Sequence, residues 1–549
     1  MTAQTDKASR IMPLLIWAVA LAAISPWLFI QLQAMIAGNV SSLLIGTERL
    51  LHGVPYLEAD YETNPPLSML IYAPHILLAQ ILGISLPLGA TITTFILVAL
   101  SSLTVREILK PFPMLDQNEK RNLLFCYILG ITVLSSTIFF PDRENLITMG
   151  LFPFILCQYA LTQKIQIKST LLYPVLIIGA LCVLVKPHFG LIPTILLIHR
   201  MISQKRFSAV KDPDFIILAV ATLSYVTLLL TIFREYIDIV LPDALDLYVH
   251  QHNVPDTITY TQPRLMLCVF LLLTETLSKD LEKSKKRLVI FFYLCCLIAI
   301  IPAIVQMKGY FNHLIPATTF LAAGAGMSLY FRLKQYIKRP IAYLLLFPLI
   351  LFGGSQLIQR PSWKFPKHSE IPNLPLSAFL KKECPAPCTF FMFHHDIEIM
   401  PPTAAYMGYT PATRFATLWF IPQIYGQLEL MNDGENVPLT RDRLENLKTK
   451  YTLFAAQDLE KYEPSLLLIG TNVEIFKNEN FDFMKFFMTN PTYKEIIEKN
   501  YEKTGTFTMD RAEYFKGTTM NQSYMLKYDV YKRKSGPWLE TSVPEYKKP

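Results

Sequence analysis

The residues of this chain best suited to chemistry are ionisable groups at the ends of apolar runs, gathered in four short clusters. The first is the loop Gly53-Val-Pro-Tyr-Leu-Glu-Ala-Asp-Tyr-Glu-Thr-Asn-Pro-Pro-Leu67. It sets Glu58, Asp60 and Glu62 between two apolar elements, and Asn64 with Pro65-Pro66 fixes the direction in which the chain leaves. The second is Pro141-Asp-Arg-Glu-Asn145, with Asp142, Arg143 and Glu144 in one turn. The third is Lys186-Pro-His188, and the fourth is Lys308-Gly-Tyr-Phe-Asn-His313. A carboxylate can take the proton of a hydroxyl acceptor, and Lys, Arg or His can neutralise a phosphate near lipid headgroups. Together they suit group transfer from a polyprenyl phosphate, with the carboxylate as base and the cations stabilising the leaving phosphate. Each cluster alone has a plainer reading: a solvated acidic loop, a surface pair of Arg143 with Asp142 or Glu144, a snorkelling lysine, an isolated histidine. Their shared side of the membrane is what raises the chemical reading above these.

That side follows from the elements that must carry the clusters. The chain has 549 residues, of which 52% are hydrophobic and 17% charged, with a mean hydropathy of +0.32. This excludes an ordinary cytosolic enzyme, a disordered tail and a fibre. Apolar runs predict about eleven membrane spans, at 11 to 31, 87 to 105, 122 to 140, 146 to 162, 170 to 186, 189 to 202, 215 to 233, 263 to 277, 288 to 306, 314 to 331 and 340 to 356. Alternate loops are basic, from Lys7 and Arg10 through Arg106 to Arg121, Lys164 and Lys168, Lys205 to Lys211, Lys279 to Arg287 and Arg332 to Arg339. Short basic loops stay cytoplasmic, so these are placed inside and the four clusters outside. The net charge of +8 is then a topology signal and no argument for nucleic acid. Counting Leu67 to Ile84 as a span would put the basic segment Arg106 to Arg121 outside, so it is predicted as an interfacial or re-entrant helix. The N-terminus reads as a retained, cytoplasmic signal anchor.

The long apolar runs stop near residue 357, which predicts a membrane domain over 1–357 and an extracytoplasmic domain over 358–549. Short apolar runs at Thr389 to Phe393 and Leu466 to Ile469 alternate there with helical patterns at Arg441 to Lys450 and Phe481 to Glu498, which predicts an α/β layer domain. Of eight cysteines, Cys126, Cys157, Cys182, Cys268, Cys295 and Cys296 fall within spans, while Cys384 and Cys388 lie in the outer domain, where an oxidising compartment permits a disulfide. A zinc site lacks a second ligand pair. No glycine-rich phosphate loop or serine nucleophile elbow is present, which argues against nucleotide-sugar and ester chemistry.

With these residues on the page, the chain resembles bacterial polytopic glycosyltransferases of the GT-C superfamily, which use polyprenyl-phosphate sugars. The carriers are Gly53-Val-Pro-Tyr56 with the acids after it, Glu62-Thr-Asn-Pro-Pro-Leu67, Asp142-Arg-Glu144, Lys186-Pro-His-Phe189, Lys308-Gly-Tyr-Phe-Asn-His313 and Arg414-Phe-Ala-Thr-Leu-Trp-Phe-Ile-Pro422. The resemblance implies a GT-C-like membrane domain, a catalytic acid in the first outer loop, a lipid-phosphate site near the outer leaflet and inversion at the anomeric carbon. It also implies a bacterial inner-membrane location with the C-terminal domain periplasmic, and a glycan, lipid or protein as acceptor. The base is then Asp60, central between Tyr56 and Asn64, or Glu58, which the family register favours, or Glu62. Arg143, Lys186, His188, Lys308 and His313 become the donor-phosphate residues, supported by Asp142, Glu144, Asn64 and Arg414, the last either reaching the site or closing a structural ion pair. Asn145 stands where relatives often have His, and Tyr310 and Asn312 replace the more usual Trp and Tyr. No cofactor is demanded, although carboxylates of this kind can hold a divalent metal ion through oxygen. A transporter or flippase of a lipid-linked glycan is the competing reading; it predicts inverted repeats and charges near the bilayer midplane.

Overall fold

The computed structural model of the chain describes residues 25, 27–135, 139–205, 207–336, 366–385, 388–394, 396–475, 478–514 and 525–534. The fold comprises two compact units that interleave along the sequence. One takes Met1–Ala34, Thr91–Leu228 and His252–Trp363; the other takes Met35–Ala90, Leu229–Gln251 and Lys364–Pro549. The boundary predicted at 357 lies outside the described residues.

The first unit is a helical bundle. Among the described residues, five helices are long and apolar enough to cross a membrane: Leu86–Leu109, Arg143–Thr162, Pro213–Thr231, Lys283–Gln306 and Phe311–Arg332. The chain is therefore a polytopic, predominantly α-helical membrane protein. Further helices, Gln117–Ile131, Ser169–Val185, Leu191–Ser203 and Val254–Leu277, stand where shorter spans are predicted. Two of them start well before their apolar runs because capping, not hydropathy, begins them. Asp116 accepts from the Asn118 and Glu119 N–H groups while Glu119 reaches back to the Asp116 N–H. Asn253 accepts from the Asp256 N–H, with Pro255 in the first turn. The predicted spans at 11 to 31 and 340 to 356 lie outside the described residues, apart from residues 25 and 27–31.

Arg143–Thr162 is buried along nearly its whole length and is the axis of this bundle. The ring of Phe152, near its middle, stacks at 4.5 Å from Tyr127, 5.3 Å from Phe320 and 5.7 Å from Phe292, tying the axis to three other helices. Between helices in lipid, apolar burial gives little drive, and small residues let backbones close up. A Cβ built on Gly130 would lie 2.9 Å from Thr319 Cα, so these two helices touch through backbone.

The second unit carries a five-stranded mixed sheet. Its strands are β1 (Thr389–Phe393), β2 (Thr410–Pro411), β3 (Leu466–Gly470), β6 (Tyr501–Asp510) and β7 (Met525–Arg533), in the order β2-β1-β3-β7-β6. β1 runs parallel to β2 and β3, whereas β7 is antiparallel to β3 and β6. β4 (Val473–Ile475) and β5 (Asn478–Phe481) form a separate hairpin. The wholly buried β3 explains its uninterrupted apolar run. The helix predicted from Phe481 to Glu498 is instead broken into Phe483–Phe487 and Pro491–Asn500, because Asn490 caps and Pro491 restarts it. The pattern at Arg441 extends to Tyr462. Leu67 to Ile84 forms two short helices, Leu67–Leu70 and Ala73–Leu82, the second ended by Gly83 at φ +62°. Cys384 and Cys388 are disulfide-bonded, with Cα atoms 5.7 Å apart.

The Gly130 contact makes a direct prediction. Gly130→Ala forces the Thr319 backbone away and should cost about 1–3 kcal/mol, read as a lower midpoint in thermal unfolding of the detergent-solubilised protein; an unchanged midpoint would show that the helices can part freely.

Candidate functional site

In the bundle, the three later clusters of the sequence meet. Asp142 caps Arg143–Thr162 by accepting from the Arg143 N–H at 2.7 Å, which leaves Arg143 and Glu144 buried in the first turn. Ser169–Val185 ends at Lys186, where Pro187 opens a 3-10 turn and the backbone can no longer continue the helix. The Lys186 ammonium donates to Glu144 Oε1, and His313 Nε2 lies 3.6 Å from the same oxygen and 3.4 Å from Lys186 Nζ. Asn312 donates to Asp142 Oδ2 at 2.8 Å. Gln306 Nε2 lies 3.1 Å from His188 Nδ1, and the His188 and His313 rings are 6.2 Å apart.

A tight reversal delivers the fourth cluster. Met307 and Gly309 both have positive φ, at +48° and +70°, and a Cβ on Gly309 would stand 2.6 Å from Asp256 Cβ. Glycine is thus required by conformation and by space. The reversal buries Lys308, whose amine burial pulls down to about 8. Burial likewise lowers His188 to about 3, with the Lys186 charge adding to the effect, so its imidazole is neutral at pH 7. Burial and the Glu144 charge push the Asp142 carboxyl upward.

The acids of the loop from Gly53 to Leu67 belong to the second unit and are sorted there by their neighbours. Glu58 forms an ion pair with Lys461. Glu62 Oε1 accepts from the Asn64 N–H at 2.8 Å and also from the Asn64 amide, closing a turn. Asp60 is 6% exposed and accepts from Ser42 Oγ at 2.9 Å. Its carboxylate lines a cavity of about 20 Å³ with Ser42, Gly46, Arg49, Thr413 and Arg414, room for a single water-sized group such as a hydroxyl. A Cβ on Gly46 would lie 2.6 Å from Asp60 Cβ. Arg49 Nη1 donates to Thr413 O at 2.8 Å. Arg414 pairs with buried Asp458 at 2.8 Å and lies 4.5 Å from the Phe454 ring centroid, which is a structural ion pair.

Two residues carry no obvious sequence signal: Gln306 is uncharged and closes a predicted span, and Asp243, described below, sits far from any cluster. Among the described residues, no three His, Cys, Asp or Glu side chains gather as a metal-ligand set, and none is assigned to a cation.

No family model and no curated protein sequence matches the chain. Solved structures similar to it include the arabinofuranosyltransferase AftD from Mycobacteria, at 12% identity and TM-score 0.45, over 95% of this chain and 40% of that one. ArnT from Cupriavidus metallidurans in the apo state is similar at 11% identity and TM-score 0.38, over 84% of this chain and 93% of that one. The chain thus spans about 40% of the length of AftD.

Two outcomes test the bundle set. Glu144→Ala strands the Lys186 ammonium among apolar helices and should destabilise by about 3–5 kcal/mol, and adding Lys186→Met should restore most of this; a double variant as unstable as the single would deny the pairing. A lysine with a depressed pKa is charged below that value and neutral above it. Any phosphate binding by this set, read in nanodiscs with undecaprenyl phosphate as the probe, should therefore weaken as pH rises through about 8, and Lys308→Gln should remove that step.

Proposed function

We propose that the chain is a glycosyltransferase that moves a sugar from a polyprenyl-phosphate donor to a hydroxyl of a glycan, lipid or protein acceptor at the periplasmic face of a bacterial inner membrane. The single observation that carries the reading is the charged set around Glu144, in which Arg143 and Lys186 are buried with the two carboxylates Asp142 and Glu144, while Lys308 is buried in the turn that also carries His313. Desolvating that many charges within a membrane bundle is costly and marks function rather than stability.

In this reading Asp60 is the base. It takes the acceptor's hydroxyl proton as that oxygen forms a bond to the anomeric carbon, and the bond from that carbon to the phosphate oxygen breaks with inversion. The electron pair leaves on polyprenyl phosphate, whose charge Arg143, Lys186 and Lys308 neutralise. His188, neutral at pH 7, serves as a hydrogen-bond partner and not as a charge, and His313 stands with Lys186. Asp60 is preferred over Glu58 and Glu62 because it alone among the three faces the cavity in its unit, while the others are held by Lys461 and Asn64.

Reconstitution with radiolabelled polyprenyl-phosphate sugars tests this. Asp60→Asn should lower transfer by about 10²–10⁴-fold, with Glu58→Gln and Glu62→Gln far milder. Full transfer by Asp60→Asn would refute the acid assignment, and sugar crossing the membrane without a new glycosidic bond would favour a flippase.

A further inference from the structure

The first outer loop is gripped by a segment distant in sequence, Leu229–Gln251, which folds in the same compact unit. Glu235 accepts from the Leu57 N–H at 3.2 Å, and Tyr56 packs edge-on to Phe233 and Tyr236 at 5.6 and 6.4 Å. The third grip is polar. Tyr61 Oη donates to Asp243 Oδ2 at 2.5 Å, and the same oxygen lies 2.7 Å from Lys450 Nζ. Asp243 is fully buried and stands between two π-helical turns, Tyr236–Val240 and Ala244–Tyr248. Such wide turns are rare and concentrate at functional sites.

We infer that Asp243 is a positioning residue, acting through Tyr61 to fix the direction of the Asp60 carboxylate, an inference that rests on the proposed role of Asp60. The backbone is the link. Asp60 is extended, at φ −161° and ψ 135°, and in extended chain successive side chains point to opposite sides. Asp60 therefore points toward Ser42 and Gly46 while Tyr61 points away, into a nest of Phe415, Tyr451 and Phe454 with ring distances of 5.6, 5.6 and 6.0 Å. The Tyr61 N–H donates to Arg414 O at 2.8 Å, and Arg414 is itself held by Asp458. Ring, hydroxyl and N–H of Tyr61 are thus all fixed, which leaves the neighbouring carboxylate one orientation. Burial and the Asp243 charge raise the Tyr61 phenol, so it remains a donor.

The test uses the full-length chain in nanodiscs and Tyr61→Phe, which removes only the hydroxyl and keeps the ring in its nest. Hydrogen exchange in the peptide covering Tyr56 to Asn64 should quicken about tenfold. Transfer from the radiolabelled polyprenyl-phosphate sugar should lose about ten- to a hundredfold in kcat, with the donor KM unchanged, as misplacement of a reacting group predicts. In kcat, Asp243→Asn should add little to Tyr61→Phe, because Asp243 reaches the loop through the Tyr61 hydroxyl, whereas its ion pair with Lys450 adds to stability alone. Wild-type exchange in Tyr61→Phe, a loss confined to KM, or additive effects of the two substitutions on kcat would each overturn the inference. If Asp243→Asn does not fold, Tyr61→Phe alone decides. Exchange needs no substrate, so a failed grip is told apart from a failed base, which shows only as full transfer by Asp60→Asn.

Discussion

The bundle is built under one electrostatic constraint: an ion placed among apolar helices must meet a counter-ion or hydrogen-bond partner there, because neither lipid nor packed side chains will solvate it. Glu144 satisfies this for Lys186, with His313 against both, and Asn312 supplies Asp142. The opposite helix ends obey the same rule with different residues. Arg200 spans Asp212 and Asp214, Lys285 and Lys334 share Glu119, and Arg332 meets Glu275. The Arg200 pairs join neighbouring elements, while the Glu119 and Glu275 pairs cross between helices distant in sequence and so fix which ends lie together. The basic loops fall at one end of the bundle and the acid-and-cation set at the other.

That arrangement was partly legible in the residues. Lys186-Pro-His, Asp142-Arg-Glu and the Lys308 to His313 turn each announce an ionisable group at the end of an apolar run, and alternating basic loops give their common side. What spacing does not contain is who pairs with whom. Lys186 reads as a free cation in sequence but is committed to Glu144, and spacing does not say that the neutral Gln306 meets His188 or that Asn312 meets Asp142. Helix starts at Gln117 and Val254 escaped hydropathy for a related reason, since caps are polar and local. The grouping of Met35–Ala90 and Leu229–Gln251 with the C-terminal segment depends on long-range contacts, which composition does not encode.

The acids of the first loop illustrate how neighbours divide equivalent residues. Glu58, Asp60 and Glu62 recur at a spacing of two, so in sequence they are interchangeable. In the fold, an ion pair with Lys461 occupies the first, an Asn64 turn occupies the third, and the middle one alone is both buried and beside a cavity. Gly46 makes this feasible: any side chain there would collide with Asp60, so the helix Gly38–Leu51 carries its glycine where the carboxylate must fit.

The charge balance of the bundle set decides what it can bind. Two carboxylates face the two cations Arg143 and Lys186, and His188 adds no charge at neutral pH. Burial and the Glu144 charge push Asp142 toward its protonated form, which weakens one of the two opposing charges. A set that was fully neutralised would be a structural staple and would repel no ion and attract none. One left with excess positive charge in a low-dielectric surrounding costs stability until an anion arrives. On the proposed reading that anion is the phosphate of the donor, whose charge would sit at the membrane boundary and whose long apolar chain would lie in the lipid.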